Sequence, residues 1–190
     1  MQVTERPLSR KPLLTAFLAI LLSACVAETV PPQGGPAQGD PAQGDPAQAT
    51  SAAAGGTCTT PAAASANAAK ILTLVNQARR EAGLRPVVLS APVTRVSQAF
   101  ACEISLRHDI SHRGNDGSTI MSRLARIGIV AGSVAENTAD GYATPERTFA
   151  AWMDSSGHRG NILSPEMTQI GVGQAEGAYP TWVLDLFTPL

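Results

Sequence analysis

His112, the pair Glu136-Asn137 and the run 157–163 (GHRGNIL) are where this chain sets residue types that bind metals or move protons in local contexts of their own. Only three histidines occur in the sequence, and two of them are here. Imidazole is a common ligand for divalent metals, and with an ordinary pKa near ~6.5 it suits proton transfer around neutrality. Two imidazoles and a carboxylate are the donor set of a catalytic zinc site with one position open. The same three side chains could instead run general acid-base hydrolysis. Each context is punctuated: His112 stands in a polar, Gly-rich turn (SHRGNDGS, 111–118), and His158 leads into the apolar pair Ile162-Leu163.

Each chemistry has a requirement the sequence does not meet by itself. A zinc or other divalent site on His112 and His158 lacks the helical His-Glu-x-x-His spacing and shows no fourth protein ligand. Hydrolysis needs a nucleophile or a positioned water; Ser155 and Ser156 lie close to His158, but nothing resembles a nucleophile elbow, and helix-end capping explains both serines. A third reading is a polar network that scaffolds a binding cleft without turnover. There Glu136 and Asn137 bond neighbouring backbone, Asn137 fixes a turn, and His158 and Arg159 tie a helix end to a sheet. The third histidine, His108, lies between Arg107 and Asp109 and reads as exposed. Trp152 and Trp182 stand in apolar runs and read as core anchors. Asn76 and Arg79 either reach polar loops across the domain or belong to a solvated face.

The elements that must position these residues are legible as helices followed by a hairpin. Residues 65–82 place Ile71, Leu72, Val75, Ala78 and Ala82 on one helical face, with Gly83 as a stop. A second helix over 92–107 follows Ser90, with Val96, Phe100 and Ile104 at four-residue steps. A short helix spans 119–127, ended by Gly128. Thr144 caps a fourth, with Pro145 at its first position and its end near Asp154. Residues 170–173 and 181–187 change period and flank Gly177, Ala178, Tyr179 and Pro180, a hairpin signature. This order predicts an α+β domain.

Over residues 63–189 the His112, Glu136-Asn137 and 157–163 motifs, in this order, resemble the CAP superfamily (cysteine-rich secretory proteins, antigen 5 and pathogenesis-related proteins) in its bacterial form. The resemblance implies an α-β-α sandwich with a small central antiparallel sheet flanked by helices. It places His112 after the second helix, Glu136 on or beside the first strand and His158 just after the fourth helix, converging on one cleft with Asn137, Arg159 and Asn161. Eukaryotic members often carry a second glutamate shortly after a tryptophan. Here Trp152 is followed by Met153 and Asp154, so that fourth position is shortened or absent.

The N-terminus speaks to compartment. Arg6, Arg10 and Lys11 precede the apolar run 13–22 (LLTAFLAILL), too short to span a bilayer. Leu22-Ser23-Ala24-Cys25 then matches a lipobox, so residues 1–24 read as a lipoprotein signal peptide and Cys25 as the lipidated residue. The alternative is an ordinary secretory signal. Val26 in place of an aspartate points to outer-membrane sorting. Residues 25–57 are rich in Pro, Gly, Ala and Gln, with the repeat GGPAQ, GDPAQ, GDPAQ over 34–48. Such a segment cannot bury a core. It reads as a tether reaching ~30 to 100 Å, and 58–190 as the CAP (SCP-like) domain.

Two cysteines remain, Cys58 and Cys102. In an oxidising compartment they most simply form a disulfide, closing a loop of about 44 residues for ~3 to 4 kcal/mol. Removing residues 1–24 takes away Glu5, Arg6, Arg10 and Lys11, so 14 basic and 15 acidic residues become 11 and 14, a formal charge of −3. With no polybasic run outside the signal, nothing attracts nucleic acid. Two functions follow. The first is an envelope-tethered module, membrane-anchored by lipid, whose His112/Glu136/His158 cleft binds an envelope lipid, glycan or peptide, with or without a divalent ion. The second is a hydrolase of peptides or envelope polymers working through the same residues, His112, Glu136 and His158 being its catalytic candidates. The absent thiol and nucleophile motif favour the first.

Overall fold

The computed structural model describes residues 57–177 and 179–190. The signal peptide, Cys25 and almost all of the repeat-bearing tether lie outside the described residues. Five helices and four strands follow in the order α1 (Ala64–Glu81), β1 (Val88–Leu89), α2 (Ala91–Arg107), α3 (Ile120–Ala125), β2 (Ala131–Asp140), α4 (Pro145–Asp154), α5 (Ser156–Ile162), β3 (Gln169–Ala175) and β4 (Thr181–Pro189). The fold is α+β. The sheet runs β1-β3-β4-β2. Its three long strands are antiparallel, as expected, while the two-residue β1 adds a parallel pairing with β3 that no sequence signal marks.

Local chemistry sets the helix ends. Thr144 Oγ1 accepts the Arg147 N–H at 3.3 Å, and Pro145 opens α4 where no donor is needed. Thr119 and Ser122 form a reciprocal capping box on α3. Ser90 holds the N-cap geometry of α2 without a side-chain cap bond. Besides β1, two elements carry no local signal in the sequence, although the family resemblance placed Glu136 on or beside a strand. The strand β2 (AGSVAENTAD) has little β-branched content and is made a strand by pairing with β4 from Ala131 to Asp140. The helix α5 contains Gly157 and Gly160, each costing roughly 1 kcal/mol of helix propensity, so His158 lies inside a fifth helix directly after α4.

The sheet separates two helical layers. On one face α1, α4 and α5 bury Ile71, Val75, Trp152 and Ile162 against Ile170, Trp182, Leu184 and Leu186. On the other, α2 and α3 set Phe100, Ile104 and Leu124 against Val183 and Phe187. β3 is built for this asymmetry: Ile170 and Val172 face α1, while Gly171 and Gly173 face α2. A Cβ on either glycine would collide with the α2 backbone around Val93 to Gln98. Backbone against backbone, α2 then finishes the β3 edge that β1 is too short to cover. Gln98 donates to the Gln174 carbonyl at 2.7 Å and accepts its N–H at 3.0 Å, and Thr94 Oγ1 accepts the Val172 N–H at 3.5 Å. The Cys58–Cys102 disulfide, Cα to Cα 5.4 Å, pins the start of the domain to α2.

Arg79 and Asn76 reach inward rather than lying on a solvated face. Arg79 is 1% exposed and donates to four carbonyls: Arg85 at 2.9 Å, Ile162 and Ser164 at 2.8 Å, and Met167 at 3.0 Å. Burial lowers its pKa. Asn76 exchanges two hydrogen bonds with the Val87 backbone. Together they fasten α1 to the end of α5 and the entry to β3. Arg79→Ala is expected to cost about 3 to 5 kcal/mol in urea unfolding, because it strands buried carbonyls and opens a cavity. Arg79→Lys, with three donors in a different geometry, should recover only part; full recovery by lysine would contradict the clamp.

Candidate functional site

Glu136 occupies the middle of β2 opposite Asp185 of β4. Beyond the strand ends Gly141 N–H donates to Pro180 O at 3.0 Å. Alternation from that bond makes Glu136/Asp185 a non-hydrogen-bonded pair, the kind whose side chains stand closest. Both point to the α2/α3 face. Glu136 is 7% exposed and Asp185 fully buried, so the fold has placed two carboxyls side by side away from water.

Neighbours compensate that charge. The Arg123 guanidinium, from α3, pairs with Glu136 Oε2 and lies 3.7 Å over the Phe100 ring of α2. His112 Nδ1 meets Glu136 Oε1 at 2.9 Å. Burial raises the Glu136 pKa, while hydrogen bonding from Asp185 and the Arg123 charge pull it back down. Burial, and then the Glu136 charge, push Asp185 well above the usual carboxylate range. Of the buried pair, Asp185 is shifted further upward, which favours the proton on Asp185 and the charge on Glu136 beside Arg123. Ser97 Oγ of α2 lies 2.7 Å from Asp185 Oδ2, and Asp185 Oδ1 has no hydrogen-bond partner among the described residues.

The other half of the site lies on the opposite face of β2. Asn137, expected in a turn, is instead fully buried in mid-strand. It donates to the His158 carbonyl at 3.1 Å and accepts from Asn161 Nδ2 at 2.8 Å, which seats α5 on the sheet. Arg159 donates to Met153 O at 2.7 Å and ties α5 to the end of α4. The His158 ring is held below its usual pKa by burial and then by the charge of His112. His112, with a side chain 60% exposed, and Glu136 line a recess of about 340 Å³ with Thr119, Ile120 and Val134. His158 lines another of about 370 Å³ with Ile110, Thr138, Tyr142 and Trp152. The predicted residues thus gather around one strand, but from its two faces.

This division bears on the expected metal set. Glu136 already receives Arg123 and His112, and a guanidinium at the carboxylate opposes a cation. Among the described residues no three His, Cys, Asp or Glu side chains gather closely enough to hold a metal ion. Glu136, His112 and His158 are therefore not assembled as a three-donor site. Ser155 and Ser156 make no hydrogen bond to either histidine among the described residues. His108 is exposed at the end of α2, and both tryptophans are buried. Asp154 is exposed; the second carboxyl of the site is Asp185, from β4.

The cysteine-rich secretory protein (CAP) family model matches residues 72–186, more than half of the chain. The chain belongs to the CAP family. It is 32% identical over 120 residues to the Bacillus subtilis protein YkwD, covering 63% of this chain and 47% of that protein. To the Bacillus subtilis membrane protein YlbC it is 26% identical over 104 residues, covering 55% and 30%. The chain therefore spans about half or less of the curated relatives it matches. Among solved structures, an extracellular SCP-domain protein of Bacillus anthracis superposes with a TM-score of 0.58 at 23% identity, covering 64% of this chain and 40% of that one. An outer surface protein of Borrelia burgdorferi gives 0.65 at 15% identity, covering 70% and 100%. These likenesses show the fold.

The sequence reading of this CAP domain missed Arg123, Phe100, Ser97 and Asp185. Asp185 carried a signal: it is the one charged residue in the apolar run 181–187 (TWVLDLF). Because its folded pKa is raised above the unfolded value of about 3.9, its stabilising contribution is complete below that pH and is lost as pH rises toward the folded pKa. Asp185→Asn mimics the neutral form. The melting temperature of Asp185→Asn minus that of the wild type should therefore climb as pH increases above ~4. A difference that stays flat with pH would show that Asp185 does not titrate in this way.

Proposed function

We propose that this CAP domain is an extracytoplasmic binding module, tethered to the cell envelope through a lipidated Cys25, whose cleft astride β2 holds an envelope ligand. The observation that carries the reading is the commitment of Glu136. Its carboxylate is buried and shared between Arg123 and His112, so it positions an imidazole instead of standing free as a base. His112 is left with Nε2 and most of its ring open to solvent, a fixed polar contact flanked by apolar surface from Ile120 and Val134. No thiol is free among the described residues, since Cys58 and Cys102 are joined. Ser97, whose hydroxyl bonds Asp185, is buried beneath the sheet, and Ser133, also bonded to a carboxyl, pairs with Glu166 away from both histidines. The extracellular and surface proteins among the structural neighbours, and the lipobox at Cys25, support the location.

One observation favours the hydrolase reading. The lowered pKa of His158 keeps its imidazole neutral at neutral pH, the form a general base requires. The two are separated by exposing the full chain to lipid, glycan and peptide pools from bacterial envelopes and weighing what is retained. A binding module returns the retained molecule unchanged in mass. His112→Ala and His158→Ala should weaken retention about tenfold, the loss of a positioned polar contact or two. Because His112→Ala also removes a partner of the buried Glu136 carboxylate, a loss of about 1 to 3 kcal/mol in unfolding free energy is expected, and retention is compared at a temperature where both proteins are folded. Cleaved products that vanish in His158→Ala would establish the enzyme instead.

A further inference from the structure

The site does not end at His158. Its recess shares Tyr142 and Ala151 with a second hollow of about 520 Å³, lined besides by Gly141, Arg147, Ala150 and Asp154. The helix α4 supplies the floor and both ends of that hollow. Arg147, Ala150, Ala151 and Asp154 stand at i, i+3, i+4 and i+7, which is one face of a helix. The seven-residue step sets Arg147 and Asp154 ~10 Å apart along the axis. Between them the two alanines leave the space open.

Tyr142 is common to the two hollows, and its main chain is fixed. The indole of the fully buried Trp182 donates to the Tyr142 carbonyl at 2.8 Å, and the neighbouring Gly141 N–H donates to the Pro180 carbonyl at 3.0 Å. The residue is nevertheless 38% exposed, and its hydroxyl has no partner among the described residues. A lone exposed tyrosine is ordinary on a protein surface. This one stands among Asp140, Arg147 and Asp154, all exposed, and among the described residues none of the three side chains forms an ion pair or a hydrogen bond. Nearby charges outside the hollow are paired, as Glu146 is with Lys70 at 3.2 Å.

We infer that the ligand of this cleft is a glycan running from the His158 recess over Tyr142 into the hollow on α4, with one sugar ring stacked on Tyr142 and its hydroxyls held by Asp140, Arg147 and Asp154. A sugar ring has an apolar C–H face and a rim of hydroxyls. An aromatic ring on a fixed main chain, set among carboxylates and a guanidinium that have no other partner, matches both. The ~10 Å between Arg147 and Asp154 is about the length of a disaccharide. An acyl chain in the same place would take three charges out of water without pairing them. An extended peptide needs a row of main-chain partners, and a helix face, whose backbone is bonded along its own axis, offers none. Two carboxylates against one guanidinium leave the rim negative, which selects neutral and N-acetylated sugars over uronic acids. The inference rests on the binding reading above and names the ligand class for the same cleft.

The test titrates the full chain with tetrasaccharides of neutral hexose, N-acetylhexosamine and uronic acid, by calorimetry and saturation-transfer NMR. A neutral or N-acetylated chain should bind, with the strongest transfer to its ring C–H protons, and the uronic acid chain should bind about tenfold more weakly. Tyr142→Ala should weaken binding about tenfold, and Tyr142→Phe, which keeps the ring, should recover most of it. Arg147→Gln and Asp154→Asn should each weaken it about fivefold, with melting temperatures unchanged because both side chains are exposed and unpaired. If Tyr142→Ala fails to fold, these two variants decide. Tetrasaccharide binding that survives all of these substitutions would overturn the inference, as would tightest binding by the uronic acid chain. Decapeptides or acyl chains held in a Tyr142-dependent way would assign the surface to another ligand class and overturn it too. If no tetrasaccharide binds the inference falls, yet a lipid or peptide retained from the envelope pools would still support the cleft; retention of nothing from any pool would remove both.

Discussion

A buried carboxylate at Glu136 is the constraint from which the rest of the site follows. Charge removed from water must be matched nearby, and the match here is assembled from four separate elements. Arg123 comes from α3, His112 from the loop after α2, Asp185 from β4 and, behind it, Ser97 from α2. None is close to another in sequence except through the fold. The pairing of β2 with β4 is therefore as much part of the site as the histidines: it sets Asp185 opposite Glu136, and a one-residue slip would move either carboxyl to the other face.

The compensation also explains features of the scaffold that have no chemistry of their own. Ser97 reaches Asp185 only because α2 lies against β3, and α2 lies there only because Gly171 and Gly173 present no side chain. Phe100, one turn further on, supports the Arg123 guanidinium. On the opposite face Asn137 and Arg79 perform the comparable task for α5, by donating to backbone carbonyls of the helix and of the turn that follows it. The result is a strand held from both faces, with the Thr138 carbonyl on its outer edge taken by Trp152 and an imidazole on each side of it.

Much of this was legible in the sequence, and the exceptions share a cause. The cap at Thr144, the stop at Gly83, the apolar face of α1 and the final hairpin are local signals, and the helices fall where they point. The motif residues His112, Glu136, Asn137 and His158 do surround one strand. What local signals could not carry is pairing. β2 is a strand through β4 rather than through its own propensity, α5 is helical despite two glycines, and Arg123 and Asp185 are ordinary charged residues until the sheet brings them to Glu136. Which face of β2 each motif residue would occupy is likewise a property of the register, which residue types alone do not carry.

The measurement that bears most directly on this account is the side-chain carboxyl carbon resonances of Asp185 and Glu136 in the full chain, followed by NMR from acid to neutral pH. The account predicts that Asp185 stays protonated at neutral pH while Glu136 is ionised beside Arg123. An Asp185 that loses its proton in the ordinary carboxylate range would contradict it, because the pair would then carry two negative charges that Arg123 alone does not balance.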